Sequence, residues 1–332
     1  MSLLNSPYAR RRGVAALLVG MAAWCIATGA HSQNFPTRPV RLMVAYPAGG
    51  SIDFAARRLS EDLAHELGQP VVVENRGGAN GITASESVLR TPADGHTILF
   101  TTLPAHAGNR WAYKKLPYDT IADFTPVTVL SVVPLVLVVH PSVQANTVAE
   151  LVKLARERRM SYASFGVGGM AHLAGVQLNM FGNVDINHVP YKGGGPALAD
   201  LLGGHVDMYY TGASVAQPLV RDGKLKAIAV TSATRISSLP NVPAVAETPG
   251  FESFEASVPP FLLVPVKTPP AVVARLHAAL QKVTATNAFR AKLEAAGEGE
   301  PRATTPEESL SMLRREVDRL GALFKAANIE RE

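Results

Sequence analysis

The sequence predicts an α/β protein of parallel sheets covered by helices and divided into two domains. Two observations lead there. Short apolar runs alternate with Gly-rich turns and helical segments along the chain, the pattern of strands joined by crossover helices. The chain has 332 residues, and single cores stop growing near roughly 250–300.

Val40–Tyr46, bounded by Pro39 and Pro47, reads as a buried strand. After the loop Pro47–Ser51, the residues Ile52, Ala55, Ala56, Leu59, Leu63 and Leu67 recur at helical spacing, and Gly68 follows as a C-cap. Val71–Val73 is a strand, Gly77–Gly81 a loop, Ile82–Arg90 a helix and Thr97–Thr101 a strand. Val127–His140 is β-branched, broken by Pro134 and too long for one strand, so it is expected to cross between domains. Thr147-Val148-Ala149-Glu150 is a capping box that opens a helix to about Arg158. Strands are expected at Ser161–Ser164, Ile186–Val189, Val206–Thr211 and Ala227–Thr231, with helices at Pro196–Leu202 and Val215–Arg221 between them. Ser237–Phe254 is connection and Phe261–Val264 a strand. Pro270–Thr284 and Pro306–Ala327 are helices, the last with Thr305 as N-cap and Glu308 completing the box.

The net charge of +5 raises the question of a polyanionic partner. Its origin answers that question. Arg10, Arg11 and Arg12 precede the apolar stretch Gly13–Ala30, and Ala30-His31-Ser32 has the small residues of a cleavage site. This is an export signal over residues 1–32, cleaved after Ser32. The apolar run is short and rich in Ala and Gly, which disfavours a membrane span. Its removal takes three arginines and no acid, leaving 300 residues with 29 basic and 27 acidic side chains. No basic cluster interleaved with aromatics remains, so nucleic acid is not expected as a partner. Cys25, the one cysteine, leaves with the signal, so neither a disulfide framework nor a Cys-rich metal site is expected.

Catalytic constellations are weak. The histidines show no HxxxH or HExxH spacing, and no Walker A sequence occurs. Gly166-Val167-Gly168-Gly169 lacks dinucleotide-loop spacing, and Gly212-Ala213-Ser214-Val215-Ala216 falls short of a nucleophile elbow. No metal and no cofactor are expected. What recurs is a Gly/Ser/Thr-rich turn between a strand and a helix: Ala48–Asp53, Thr101–His106, Ser164–His172, Tyr191–Gly195 and Thr211–Ser214. Helix N-termini carry unpaired N–H groups and positive dipole ends. Several converging on one crevice bind an anion without an arginine. Asp53, in a first helical turn, suits capping better than direct ligand contact, and Lys192 reads as a solvated lysine.

At these residues the sequence resembles the substrate-binding proteins of tripartite tricarboxylate transporters, the Bug or TctC family. Phe35-Pro36-Thr37-Arg38-Pro39-Val40-Arg41 resembles the family's opening, and Tyr46-Pro47-Ala48-Gly49-Gly50-Ser51-Ile52-Asp53 its first ligand loop. Leu67–Arg76, Pro92–Thr97, Lys115–Asp119 and Asp123–Val127 follow in family order. His188–Gly193, Pro196–Asp207 and Gly223–Thr231 complete the set. The resemblance implies a two-lobed periplasmic-binding-protein fold (type II, Venus flytrap) with two interdomain crossovers. Domain 1 would comprise residues 33–131 plus 257–332, and domain 2 residues 132–256, with hinges near Val132 and Ser257. It implies a periplasmic monomer, without cofactor, that captures an organic carboxylate and delivers it to a membrane permease. Carried over by motif, the ligand residues are Tyr46, Ala48, Gly49, Ser51, Asp53, Thr101 and Thr102 from the first domain. The second contributes Ser164, Gly168, His172, Tyr191, Gly193, Gly194 and Ser214, and Phe165, which the family pattern does not have, is a further candidate contact.

The chain departs from the family pattern at Thr102-Leu103-Pro104-Ala105-His106 and Ser164-Phe165-Gly166-Val167-Gly168-Gly169-Met170. Leu103, Phe165, Val167 and Met170 point to a more apolar cleft, and hence to a monocarboxylate or aromatic acid over a small dicarboxylate. Two other readings use the same scaffold: an exported cofactor-free hydrolase with Ser214 or Ser51 as nucleophile, and a ligand sensor for a membrane signalling partner. N-terminal sequencing of protein recovered from a Gram-negative periplasm is expected to begin at Gln33; a start at Met1 would remove the export reading.

Overall fold

The computed structural model describes residues 35–254, 256–299 and 301–331. The export signal read over residues 1–32, with Arg10–Arg12, Cys25 and the cleavage point, lies outside the described residues.

The first strand, β1 (Val40–Val44), leads into α1 (Ser51–Leu67), whose Ile52, Ala55, Ala56, Leu59, Leu63 and Leu67 are buried along one face. Gly68 ends the helix at φ 69°, a conformation that costs glycine little, and its N–H bonds to the Ala64 carbonyl. Then come β2 (Val71–Asn75), α2 (Ile82–Leu89), β3 (Thr97–Thr102), α3 (Leu103–Ala112) and β4 (Phe124–Val129). The middle of the chain forms β5 (Leu135–Val139), α4 (Val148–Glu157), β6 (Ser161–Ser164), α5 (Met170–Gly182) and β7 (Asn187–Pro190). It continues through α6 (Gly194–Leu202), β8 (Met208–Gly212), α7 (Ala213–Arg221) and β9 (Lys226–Val230). The last elements are β10 (Pro260–Pro265), α8 (Pro270–Ala285), α9 (Asn287–Ala295) and α10 (Pro306–Ala326).

The strands form two five-stranded sheets, in the orders β2-β1-β3-β10-β4 and β7-β6-β8-β5-β9, each flanked by helices. The fold is thus α/β and two-lobed, one sheet to each lobe. The sheets are mixed, which corrects the expectation of parallel ones. In the first, β1 pairs parallel with β2 and β3, but β10 is antiparallel to both β3 and β4. In the second, β6 is parallel to β7 and β8, while β5 is antiparallel to β8 and β9. Each antiparallel strand is one that the chain enters on crossing from the other lobe. The long run Val127–His140 is accordingly two strands, the end of β4 and all of β5, in different sheets. Helices α3, α5 and α9 are further departures from the expected elements.

The crossovers are bonded to one another. Val258 N–H donates to the Val133 carbonyl at 2.7 Å, and Leu130 N–H to the Pro260 carbonyl at 3.0 Å. Residues 299 and 301–304 lie along the first crossover, with Gly299 N–H on the Val132 carbonyl (3.0 Å) and Arg302 N–H on the Leu130 carbonyl (2.5 Å).

Strands β3, β5 and β10 are buried along their whole length. Around the first sheet, α10 packs on α3: Trp111 Nε1 donates to the Val317 carbonyl at 2.8 Å. The α10 capping box forms as read, with Thr305 and Glu308 exchanging side chain-to-backbone bonds. In the second lobe the buried ring of Tyr162 lies against Gly175 of α5, at the place where a Cβ would stand. Its hydroxyl is tied to the His172 carbonyl at 3.2 Å, so the ring cannot retreat. A helical Gly→Ala change gains about 1 kcal/mol in propensity, but forcing a methyl against a fixed ring costs about 1–3 kcal/mol or more. Gly175→Ala is therefore expected to destabilise the protein in urea unfolding; a stabilised variant would show that α5 packs more loosely than this.

Candidate functional site

Five of the helices start directly beyond the carboxyl ends of strands: α1, α3, α5, α6 and α7. Their N-cap residues are Gly50, Thr102, Gly169, Gly193 and Gly212, and none provides a side-chain cap. Helices α4, α9 and α10, by contrast, are each capped by a threonine hydroxyl. The uncapped ends leave N–H donors and positive dipole ends for another partner. Three of them, α1 from the first lobe and α6 and α7 from the second, border one cavity.

This inner cavity holds about 560 Å³ of empty space, part of it continuous with solvent. Gly49–Ile52 line it from the first lobe, and Gly194, Gly195 and Thr211–Gly212 from the second. Ser51 and Thr211 bring hydroxyls to these helix ends. The remaining wall is Ile52, Leu135, Phe165, Leu198, Val215 and Val258, with the ring of Tyr209. No Asp, Glu, Lys, Arg or His lines it. A second, outer cavity of about 1470 Å³, open to solvent, is lined by Asn75, Asn80, Tyr113, Tyr191 and Lys192 among others. Tyr46, Pro47 and Phe165 line both. The Tyr46 and Phe165 rings meet edge-to-face, with centroids 5.7 Å apart and planes at 88°.

The lobes touch at residues without a Cβ. A methyl on Gly212 would stand 2.5 Å from the Ser51 Cβ, and one on Gly193 2.6 Å from Pro47 Cγ. One on Gly168 would stand 2.6 Å from the Ala112 Cβ. The cleft is closed, and glycine is what lets the turns approach so near.

Each turn is braced from behind. The buried Asp53 carboxylate accepts Gly49 N–H (3.0 Å), Arg57 Nε (3.1 Å) and Asn75 Nδ2 (2.9 Å). Burial pushes its pKa up, but these three donors outweigh that and leave it below the usual value. Tyr46 and Thr102 hydroxyls share a hydrogen bond at 3.0 Å. His172 Nδ1 accepts Gly168 N–H at 3.1 Å and its ring stacks on His188, centroids 4.0 Å apart. His188 Nε2 in turn pairs with Ser164 Oγ at 2.7 Å. Under the outer cavity, Asn80 Nδ2 donates to Asn109 Oδ1 at 2.9 Å, and Asn109 Nδ2 reaches both the Asn80 carbonyl and the Tyr118 hydroxyl.

The residues singled out from the sequence therefore divide. Tyr46, Gly49, Ser51, Phe165 and Gly194 line the inner cavity; Ala48, Tyr191 and Gly193 line the outer one. Asp53, Thr101, Thr102, Ser164, Gly168, His172 and Ser214 line neither. Asp53, Thr102, Ser164 and His172 hold the turns instead, while Gly168 is a contact between lobes. Of the apolar departures, Phe165 and Val167 face the cavities, whereas Leu103 and Met170 are buried and border neither. Sequence reasoning passed over Leu135, Leu198, Tyr209, Thr211, Gly212, Val215 and Val258. Thr211 and Gly212 lay in a turn already flagged; the others sit on strands, early in helices or, for Val258, on a crossover, where an apolar residue looks like core.

The family model described as "Tripartite tricarboxylate transporter family receptor", TctC, matches residues 55–329. The chain belongs to this family. Three solved structures are similar over nearly its whole length. One is Rpa4515 of R. palustris with adipate, at 32% identity and a TM-score of 0.86, covering 90% of this chain and 100% of that one. Another is the periplasmic binding protein BugD, at 32% identity and 0.84, covering 90% and 100%. The third is MatC from Rhodopseudomonas palustris with bound malate, at 30% identity and 0.81, covering 87% and 99%. This TctC chain is thus a binding protein and not an enzyme. Among the described residues, neither Ser51 nor Ser214 is hydrogen-bonded to an imidazole or a carboxylate, and the bonded Ser164–His188 pair lines neither of these two cavities. Among the described residues no group of three or more metal-ligating side chains occurs, and no helix is long and apolar enough to cross a membrane.

The braces carry a pH signature. Burial holds His172 at about 3 and both His188 and His106 at about 4, so all are neutral in the fold. Unfolded histidines take protons near pH 6.5. The unfolded state then binds more protons, and stability falls as pH drops from about 6.5 towards about 4. Urea unfolding at pH 7, 6 and 5 is expected to show this decline, shallower in His188→Gln; equal slopes in the two proteins would place the pH dependence elsewhere.

Proposed function

We propose that this TctC receptor is exported to the periplasm, captures an organic carboxylate between its lobes and delivers it to the permease of a tripartite tricarboxylate transporter. The observation that carries the reading is the meeting of uncapped helix ends from both lobes at one cavity. Backbone N–H groups there donate to a carboxylate that no lysine or arginine neutralises. Adipate in Rpa4515 and malate in MatC support a carboxylate as the ligand class. Ser51, Gly49 and Tyr46 serve as contacts from one side and Gly194, Thr211 and Phe165 from the other. Asp53, Thr101, Thr102, Ser164, Gly168, His172 and Ser214 act by shaping the turns. No cofactor takes part, and the working unit is the monomer.

The moving bodies are residues 33–131 with 257–332, and residues 132–256. A ligand held by both favours closure, because only differential affinity shifts such an equilibrium. The closed form docks on the permease.

A carboxylate panel in a thermal-shift assay tests the capture. At a hundredfold excess over Kd a ligand specific to the fold adds about 2.7 kcal/mol, a rise of several degrees; no response to any organic acid would remove the proposal. Gly212→Ala tests the closure. Gly212 has φ −67° and ψ 151°, which alanine adopts freely, yet its methyl meets Ser51 across the cleft. Ligand affinity is expected to fall at least roughly tenfold as closed states are lost, with the unfolding midpoint of the ligand-free protein nearly unchanged. An affinity equal to that of the parent would show that binding does not need this contact.

A further inference from the structure

We infer that the inner cavity selects an organic acid with one carboxylate and an apolar body over a dicarboxylate of the same length. This rests on the proposal that the cleft receives a carboxylate; the choice of acid comes from the walls.

The helix ends of α1, α6 and α7 border the cavity, and a single carboxylate finds its donors there. The rest of the lining includes Leu135, Leu198, Val215, Val258 and the Phe165 ring. A methylene chain or an aromatic ring buries against these with a gain of about 25 cal/mol per Å². A second carboxylate placed there gives up its water and meets no cation, which is costly for a charged group. The nearest ion pair, Asp53 with Arg57, is closed on itself behind the first turn, and Asp53 has the wrong sign.

The cation that a longer diacid needs lies in the other chamber. Lys192 lines the outer cavity and is exposed. Between it and the inner cavity stand the Tyr46–Phe165 ring pair and the contact of Pro47 with Gly193. Tyr46 is held in place by its bond to Thr102, so the barrier is fixed from the first lobe and completed by Phe165 from the second. A six-carbon diacid reaches Lys192 only by displacing that pair.

Hexanoate and adipate differ by one carboxylate at equal length, and benzoate replaces the chain with a ring. Isothermal titration of the intact mature protein is expected to give hexanoate or benzoate an affinity at least roughly tenfold above adipate's, the factor that about 1.4 kcal/mol represents. Adipate binding as tightly as hexanoate, or more tightly, would overturn the inference while leaving carboxylate capture intact. If none of the three binds, this selection is overturned, and the wider carboxylate panel separately decides whether capture stands. Phe165→Ala, on a half-buried turn outside both sheets, separates wall from barrier. It is expected to improve adipate relative to hexanoate by opening the way to Lys192, and an unchanged ratio would count against the ring pair as the selecting element.

Discussion

Two surfaces can close on a small ligand only if the backbones that carry the donors come nearly into contact. Everything in this cleft follows from that constraint. Ser51 faces Gly212, Pro47 faces Gly193 and Ala112 faces Gly168, and in each pair the glycine makes room that any side chain would fill. Gly193, at φ 145°, and Gly168, at φ 76°, also hold backbone angles that other residues resist. The same absence of side chains leaves the first N–H groups of α6 and α7 uncapped. Close approach and unsatisfied donors are two outcomes of one choice of residue.

Turns so poor in side chains need support from elsewhere, and the chain puts it one layer back. Asp53 gathers the first turn by accepting Gly49 N–H, while Arg57 balances its charge and Asn75 donates to its other oxygen. His172 does the same for the 164–169 turn by accepting Gly168 N–H, and it must be neutral to do so. Its stacking on His188 and the burial of both keep it so. The polar residues most conspicuous in the sequence thus hold the cleft in shape, and the surfaces offered to a ligand are backbone, two hydroxyls and hydrocarbon.

That division explains which parts were legible in advance. Amphipathic elements with distinct ends could be read closely: α1 with Gly68 behind it, and α10 with its capping box. Helix α3 was missed because Leu103–Asn109 is buried almost all round and lacks a polar stripe, and α5 because Met170–Gly175 is likewise buried and small. Periodicity distinguishes strand from helix but carries nothing about strand direction, so β5 and β10 were expected to run parallel. The five turns were visible through composition. The roles within them were visible only in part: Asp53 reads as a cap from its place in the first helical turn, whereas His172 looks like a ligand contact until its hydrogen bonds are known. Leu198 and Val258 gave no signal at all, because an apolar residue facing a ligand and one facing a core have the same sequence pattern.

The joined crossovers have a mechanical consequence. Residues 130–133 and 258–260 are bonded side by side, and Gly299 and Arg302 bond along the first of them. A ribbon of paired strands bends readily across its flat face and resists shear within its plane. The joint between the lobes therefore has one compliant direction, like a strap hinge and unlike a ball joint. In the closure proposed for this receptor, such a joint would part the two halves without sliding one past the other, so that the opposed glycine contacts would meet the same partners on each closing.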